Sequence, residues 1–209
     1  MSKSLFTAVL VTFCIATAAG PVFTVGQHYE LVTPAQPTSS GEKIEVIELF
    51  WYGCSHCYTF EPHIENWLGS KPDNVVFVRI PAVFAANWEV HARAYYAAEQ
   101  LRVLDKIHRP LFDALHLEKR KLYTEDALAT FFAEHGTPAE EFRQAFNSFD
   151  VDTKTRQAIA ATRSYGITGV PAVIINGKYR SSATAAGSFA ELLKLIDQLV
   201  DKERQGSAQ

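Results

Sequence analysis

The stretch Glu48-Leu-Phe-Trp-Tyr-Gly-Cys54-Ser-His-Cys57-Tyr-Thr-Phe-Glu61 sets a CxxC pair where an apolar run ends and a helical pattern begins. The first turn of a helix carries unpaired N–H groups and partial positive charge, so a cysteine placed there is favoured as the thiolate, the nucleophilic form of sulfur. Cys57 lies one turn further along, close enough to close a disulfide with Cys54. A ring that short constrains little of the unfolded chain, which argues for redox chemistry over a structural staple.

Upstream of the pair, Ile44-Glu-Val-Ile-Glu-Leu-Phe50 has the pattern of a strand buried on both faces. Downstream, Cys57, Phe60, Ile64, Trp67 and Leu68 recur at helical spacing until Gly69 to Pro72 stops them, and Asn74 to Ile80 predicts a second buried strand. Strand, helix, strand implies a right-handed crossover between parallel strands. From about Asn87 to Gly166 the pattern is helical. Thr124 is a predicted cap, Thr137-Pro138-Ala139-Glu140 a predicted capping box with Phe142, Ala145, Phe146 and Phe149 on the following apolar face, and Pro110 a predicted kink or helix boundary. Strand character returns at Pro171 to Ile175, followed by the hairpin dipeptide Asn176-Gly177 and Lys178 to Arg180. A last helix is expected to open at Ser188 with Glu191 as capping partner, its stripe formed by Phe189, Leu192, Leu193, Ile196, Leu199 and Val200. The fold class that follows is α/β: a thioredoxin fold with an inserted all-helical subdomain. The divisions are 28–86 for its first part, 87–157 for the helical insert and 158–205 for its second part.

The chain has 209 residues, 47% of them hydrophobic, enough for one sizeable core but short for two. The net charge of -3, without basic runs interleaved with aromatics, argues against a nucleic-acid partner. Residues 1–20 have the form of a cleaved export signal: Lys3, then an apolar stretch from Leu5 to Ile15, then the small residues Ala16-Thr17-Ala18. Removing it takes away Cys14 and leaves Cys54 and Cys57 as the only cysteines. The expected address is outside the cytosol, where disulfides persist.

With CxxC at a strand-to-helix junction, Gly169-Val-Pro-Ala172 opening a later strand, and Asn147-Ser-Phe149 and Asn176-Gly-Lys-Tyr179 besides, the chain resembles the DsbA family of thiol:disulfide interchange proteins within the thioredoxin superfamily. The similarity runs from about His28 to the C-terminal helix. It implies a periplasmic oxidoreductase that donates a Cys54–Cys57 disulfide to reduced, unfolded exported proteins, with no cofactor beyond that redox-active disulfide and no metal. It also implies that a quinone-linked, DsbB-like membrane oxidase restores the disulfide. A monomer is the expected state.

The resemblance assigns Cys54 as the exposed sulfur attacked by the client thiolate and Cys57 as the shielded sulfur that is released and later resolves the mixed disulfide. His56 can add positive charge or a donor beside the thiolate. The family places proline after the first cysteine; this chain has Ser55 there, a position that tunes oxidising strength. Were the Cys54 pKa about 4, the reduced form would gain about 4 kcal/mol, or about 90 mV. Strand alternation puts Glu48 on the face shared by Ile44, Val46 and Phe50, where burial would raise its pKa and suit it to exchange a proton with Cys57. The alternative is a Glu48 that reaches an edge or pairs with a lysine. Val170-Pro171 resembles the family's cis-proline loop, whose backbone would pair with an extended client; on residues alone it is a turn before a strand.

Glu61 fits either a weak tuning role or a solvated helix face. Trp51, Tyr52 and Phe60 fit either a client surface or packing, and Trp88, Tyr95 and Tyr96 the core of the helical subdomain. His63, His91, His108, His116 and His135 fit surface or packed positions. Rival functions are a periplasmic thiol reductase of the same fold, a disulfide isomerase, a client-holding chaperone, and a zinc-binding module. The last is disfavoured because zinc needs four ligands and only two cysteines remain, with no paired HxxxH.

Overall fold

A computed structural model describes residues 22–206; the export signal expected over 1–20 lies outside the described residues. The elements run β1 (Glu30–Leu31), β2 (Ile44–Phe50), α1 (Ser55–Leu68), β3 (Val75–Pro81), α2 (Ala86–Gln100), α3 (Leu104–His116), α4 (Glu125–Glu134), α5 (Ala139–Phe146), α6 (Phe149–Ser164), β4 (Ala172–Ile175), β5 (Tyr179–Ser181), α7 (Ala183–Ala186) and α8 (Phe189–Gly206). The strands form one mixed sheet in the order β1-β5-β4-β2-β3. The β2–β3 pair is parallel, as the crossover through α1 requires, while β2–β4, β4–β5 and β1–β5 are antiparallel.

Every residue of β2 is buried, because the strand is central in the sheet and covered on both faces. Ile44 and Val46 face the layer made by α1 and α8, with Phe60, Ile64, Leu195, Ile196 and Leu199. Ile47 and Leu49 point the other way, onto Tyr165, Ile167 and Ile174. At its C-terminal end, Phe50 enters a third cluster shared with the helices α2 to α6. The end of β2, where α1 begins, thus lies against the helical layer. A bond from Trp67 Nε1 to Asp197 Oδ1 (2.8 Å) ties α1 to α8. Leu195, absent from the expected stripe of α8, completes it.

The Asn176-Gly177 turn has positive φ at both residues (50° and 66°), the type I′ signature, and the Lys178 N–H closes it on the Ile175 carbonyl (3.0 Å), but Ile175 pairs with Tyr179, so Lys178 stays in the loop as a third residue in place of the expected two-residue connection. A side chain at Gly177 would also meet the Gln36 carbonyl oxygen at 2.1 Å. Thr124 caps α4 through the Ala127 N–H.

Four further local expectations are corrected. Of the kink or boundary expected at Pro110, the boundary is not there: α3 runs through it from Leu104 to His116. The buried face formed by Ile107, His108, Leu111, Phe112 and Leu115 outweighs the lost backbone bond, which costs about 3 kcal/mol. Pro62 is likewise accommodated inside α1. Thr137 is not the cap of α5; Pro138 takes that place without a side-chain bond, and Thr137 is buried instead. Phe149 does not continue the α5 face: Ser148 caps a new helix there, and Phe149 stands 77% exposed. At α8 the Ser188 hydroxyl accepts from the Glu191 N–H (3.1 Å), but the Glu191 carboxylate turns to Lys194 (2.8 Å) and leaves the box half closed.

Candidate active site

Cys54 is the N-cap of α1, in extended backbone conformation, and its sulfur accepts the Cys57 N–H at 3.3 Å. Both cysteines are free thiols. The Cys54 pKa is lowered to about 6. The hydrogen bond from the Cys57 thiol is the largest cause; the N–H groups of Cys57 and His56 and the His56 charge add to it, against the desolvation of a half-buried sulfur. This depression is shallower than the value near 4 considered from sequence. Cys57 is fully buried, packed with Phe50 and Tyr52. Burial pushes its thiol far up, and the neighbouring Cys54 adds to the shift. One sulfur therefore ionises near neutrality while its partner stays protonated.

The backbone lets Trp51 fold over the start of α1. A Cβ at Gly53 would lie 2.4 Å from the Trp51 ring, so only glycine admits this approach. Trp51 stacks on Trp88, with ring centroids 4.2 Å apart and planes at 6°. Trp88 accordingly packs beside the site, half-buried, in the cluster of the opposite sheet face. Tyr52 and Phe60 are core residues with no exposed surface, which settles their two possible roles in favour of packing. Tyr95 and Tyr96 are buried in the helical layer as expected.

Val170-Pro171 is a cis peptide bond, and the Cys54 thiol donates to the Val170 carbonyl at 3.4 Å, across 116 positions of sequence. Beside it, a cavity of about 580 Å³ is lined by His56, Val170, Pro171, Arg180 and Phe189 among others. His56 and Ser55 are both exposed at the start of α1.

Glu48 is fully buried, as strand parity indicates, and its partner is Arg79 (Nε to Oε2, 3.1 Å), not a lysine. Parallel register sets the two residues side by side on β2 and β3. Arg79 also donates to Glu61 Oε2 at 3.0 Å. Glu61 is fully buried, so the solvated-face alternative falls. On its far side His108 Nε2 stands 3.3 Å from Glu61 Oε1, close enough for attraction though out of line for a hydrogen bond. His108 Nδ1 meets the Tyr52 hydroxyl at 2.8 Å.

Desolvation, then repulsion from Glu61, outweighs the pull of Arg79 and raises the Glu48 pKa to about 8. For Glu61, burial pushes upward, but His108, Arg79 and Arg109 prevail and hold it below the ordinary carboxylate value. Two carboxylates sharing one guanidinium thus divide into a neutral acid and an anion. Glu48 Oε1 has no hydrogen-bond partner among the described residues, and the carboxylate, once ionised, pushes the Cys57 thiol further up.

Of the residues singled out from sequence, the fold places Cys54 against Cys57 and the Val170-Pro171 loop, with Glu48 buried within electrostatic reach of both sulfurs. Sequence reasoning missed Arg79 and the place of His108 beside Glu61. A charge inside the apolar run Val75 to Ile80 was a signal for Arg79; nothing local marks His108. Among the described residues no group of three or more His, Cys, Asp or Glu side chains is arranged to hold a metal ion.

A family model described as DSBA-like thioredoxin domain matches residues 75–196. The thiol:disulfide interchange protein DsbA of Pseudomonas aeruginosa is 42% identical over 182 residues, covering 87% of this chain and 86% of that one. Its namesake in Azotobacter vinelandii is 39% identical over 180 residues, 86% and 84% of the two chains. The crystal structure of Pseudomonas aeruginosa DsbA matches with a TM-score of 0.86 at 41% identity, over 90% of this chain and 97% of that one. A thioredoxin-like sheet, a CxxC pair at the first turn of α1 and relatives of this identity along nearly their whole length lead to one conclusion: the chain belongs to the DsbA family and is a thiol:disulfide oxidoreductase.

Proposed function

We propose that this oxidoreductase works as an oxidant of exported proteins, handing its Cys54–Cys57 disulfide to reduced, unfolded clients in the periplasm. The observation that carries the reading is the asymmetry of the two sulfurs: Cys54 stands at the start of α1, accepting from the thiol and the N–H of Cys57, which lower its pKa to about 6, whereas Cys57 is fully buried and its thiol is pushed up. A client thiolate attacks Cys54, the S–S bond breaks, and the electron pair leaves on Cys57. A second client thiolate then attacks the client sulfur of the mixed disulfide and releases Cys54 as a stabilised thiolate.

Cys57 is too buried to depart as an anion, so it needs a proton as it leaves. Glu48, largely protonated at neutral pH and fully buried, supplies it. The Val170 backbone, already bonded to the Cys54 thiol, offers an extended client a sequence-tolerant strand partner, with Pro171 holding the loop and His56 at the cavity rim. Ser55, exposed beside Cys54, tunes the potential. The enzyme acts as a monomer with no further cofactor, and a DsbB-like, quinone-linked membrane oxidase returns it to the disulfide form.

Equilibration of the purified protein with a glutathione redox buffer, alongside oxidation of a reduced unfolded client, tests this reading. A couple more oxidising than glutathione and formation of client disulfides are expected. A potential well below that of glutathione would instead identify a reductase, an outcome that the modest depression at Cys54 keeps as the second reading.

A further inference from the structure

The Glu48 carboxyl sits inside a cluster that its own mechanism would unbalance. With Glu48 protonated, Glu61 anionic, Arg79 cationic and His108 neutral, the buried charges cancel. When Glu48 gives up its proton, one negative charge is left over in a site without water, which is costly unless compensated.

The fold offers one titratable group placed to compensate. His108 is reached from Glu48 through Arg79 and Glu61 by successive approaches of 3.1, 3.0 and 3.3 Å. Glu48 and Glu61 have no exposed surface, whereas His108 lines a cleft of about 180 Å³ with Glu65, Arg79, Leu104, Asp105 and Arg109. Solvent protons therefore have a route to the imidazole that they lack to the carboxyl.

The groups facing His108 are Glu61 and Glu65 from α1, Tyr52 from the segment after β2, Arg79 from β3, Tyr95 from α2, and Asp105 and Arg109 on α3 itself. Phe50 and Phe112 close the apolar sides. In the neutral ring, the Tyr52 hydroxyl donates to Nδ1 and the proton sits on Nε2 towards Glu61; the opposite tautomer would set two lone pairs against each other. Burial keeps His108 below its ordinary pKa while the cluster is balanced.

We infer that His108 is a positioning residue for the proton step at Cys57, taking up a proton from the cleft as Glu48 passes its own to the departing sulfur. The inference rests on Glu48 being the proton donor. The step balances: the client thiolate forms a bond to Cys54, the Cys54–Cys57 bond breaks with its electron pair on Cys57, the Glu48 proton moves to that sulfur, and one solvent proton moves to His108. The cluster then holds Glu48 and Glu61 as anions with Arg79 and His108 as cations. By linkage, each of Glu48 and His108 alters the proton affinity of the other equally.

A double-mutant cycle tests it, with stopped-flow rates of mixed-disulfide formation between the oxidised enzyme and a reduced single-cysteine peptide, normalised to peptide thiolate across neutral pH. His108→Gln keeps the volume and hydrogen-bonding capacity but cannot take a proton. It should slow the step about tenfold, the equivalent of one pKa unit of coupling, when Glu48 is present, and not at all in a Glu48→Gln background. Wild-type rates in His108→Gln, or equal slowing in both backgrounds, would overturn the role of His108. A wild-type rate in Glu48→Gln alone overturns the prior assignment of Glu48, a separate result. If His108→Gln does not fold, Tyr52→Phe removes the oxygen to which protonated His108 would donate through Nδ1. It should slow the step about threefold, a typical hydrogen-bond effect, only when Glu48 is present, and an unchanged rate overturns the inference equally.

Discussion

Titrating the reduction potential of the Cys54–Cys57 couple against pH should give two slopes that meet near pH 6, where Cys54 ionises. Below that pH each two-electron reduction takes up two protons and the potential falls by about 59 mV per pH unit; above it one proton is taken up and the slope halves to about 30 mV. The magnitude follows from a thiol at about 6 compared with one at 9.0. At pH 7 the ionised sulfur favours the reduced form by at most about 1.4 kcal/mol. Solvent reaches this half-buried sulfur and screens it, so about 1 kcal/mol, or about 20 mV towards the oxidising side, is the expected share. The same shift sets the pH dependence of folding. Because the folded pKa lies below the unfolded one, the stabilisation of the reduced chain is full only above about pH 9, and it is lost as pH falls through about 6. Equilibration with glutathione at stepped pH, read by thiol alkylation, measures the slopes, and urea unfolding of the reduced protein measures the stability. A single slope of about 59 mV up to pH 8 would refute the argument, since Cys54 would then titrate as an ordinary thiol.

Arg79→Leu leaves two buried carboxylates without their shared cation. Urea unfolding should show a loss of about 3–5 kcal/mol, and Glu48 should titrate above its present value of about 8 by infrared spectroscopy of the carboxyl. A loss below about 1 kcal/mol, the range of surface pairs, would mean that the cluster is more solvated than its geometry implies. Phe142→Ala and Phe149→Ala separate two phenylalanines that share a sequence pattern. The first, fully buried, should cost about 3–5 kcal/mol in the same assay, and the second, 77% exposed, less than about 0.5 kcal/mol. Comparable losses would contradict the helix boundary at Ser148.

Local pattern carried the parts of this protein that are short in sequence. The alternation of Ile44 to Phe50, the helical spacing from Cys57 to Leu68 and the Asn176-Gly177 turn each depend on neighbours along the chain, and each formed, the turn with Lys178 added to its loop. The thiolate site itself is of this kind, since an N-cap cysteine and the N–H groups that hold it are three residues apart. Strand parity also fixed the face of the sheet on which Glu48 shares Arg79 with Glu61 of α1.

The failures were also physical. Pro110 does not end its helix because buried side chains outweigh one missing bond, and burial is a tertiary quantity. Phe149 matches the apolar period of α5, but a period does not say where a helix ends, and the Ser148 cap ends it. Burial, the largest cause of the raised Glu48 pKa, was legible in the strand pattern; the charges that act beside it were not. Glu61 from α1 raises that pKa further and Arg79 from β3 lowers it, and these charges, with His108 of α3 beside Glu61, meet only after a parallel strand pair and a helical layer have closed over them. The sequence by itself determined which residues could do thiol chemistry and where the helix would present them. Folding alone decided which buried charges surround that chemistry, because Coulomb interaction and desolvation depend on distance in space and on the absence of water, neither of which is written in the order of residues.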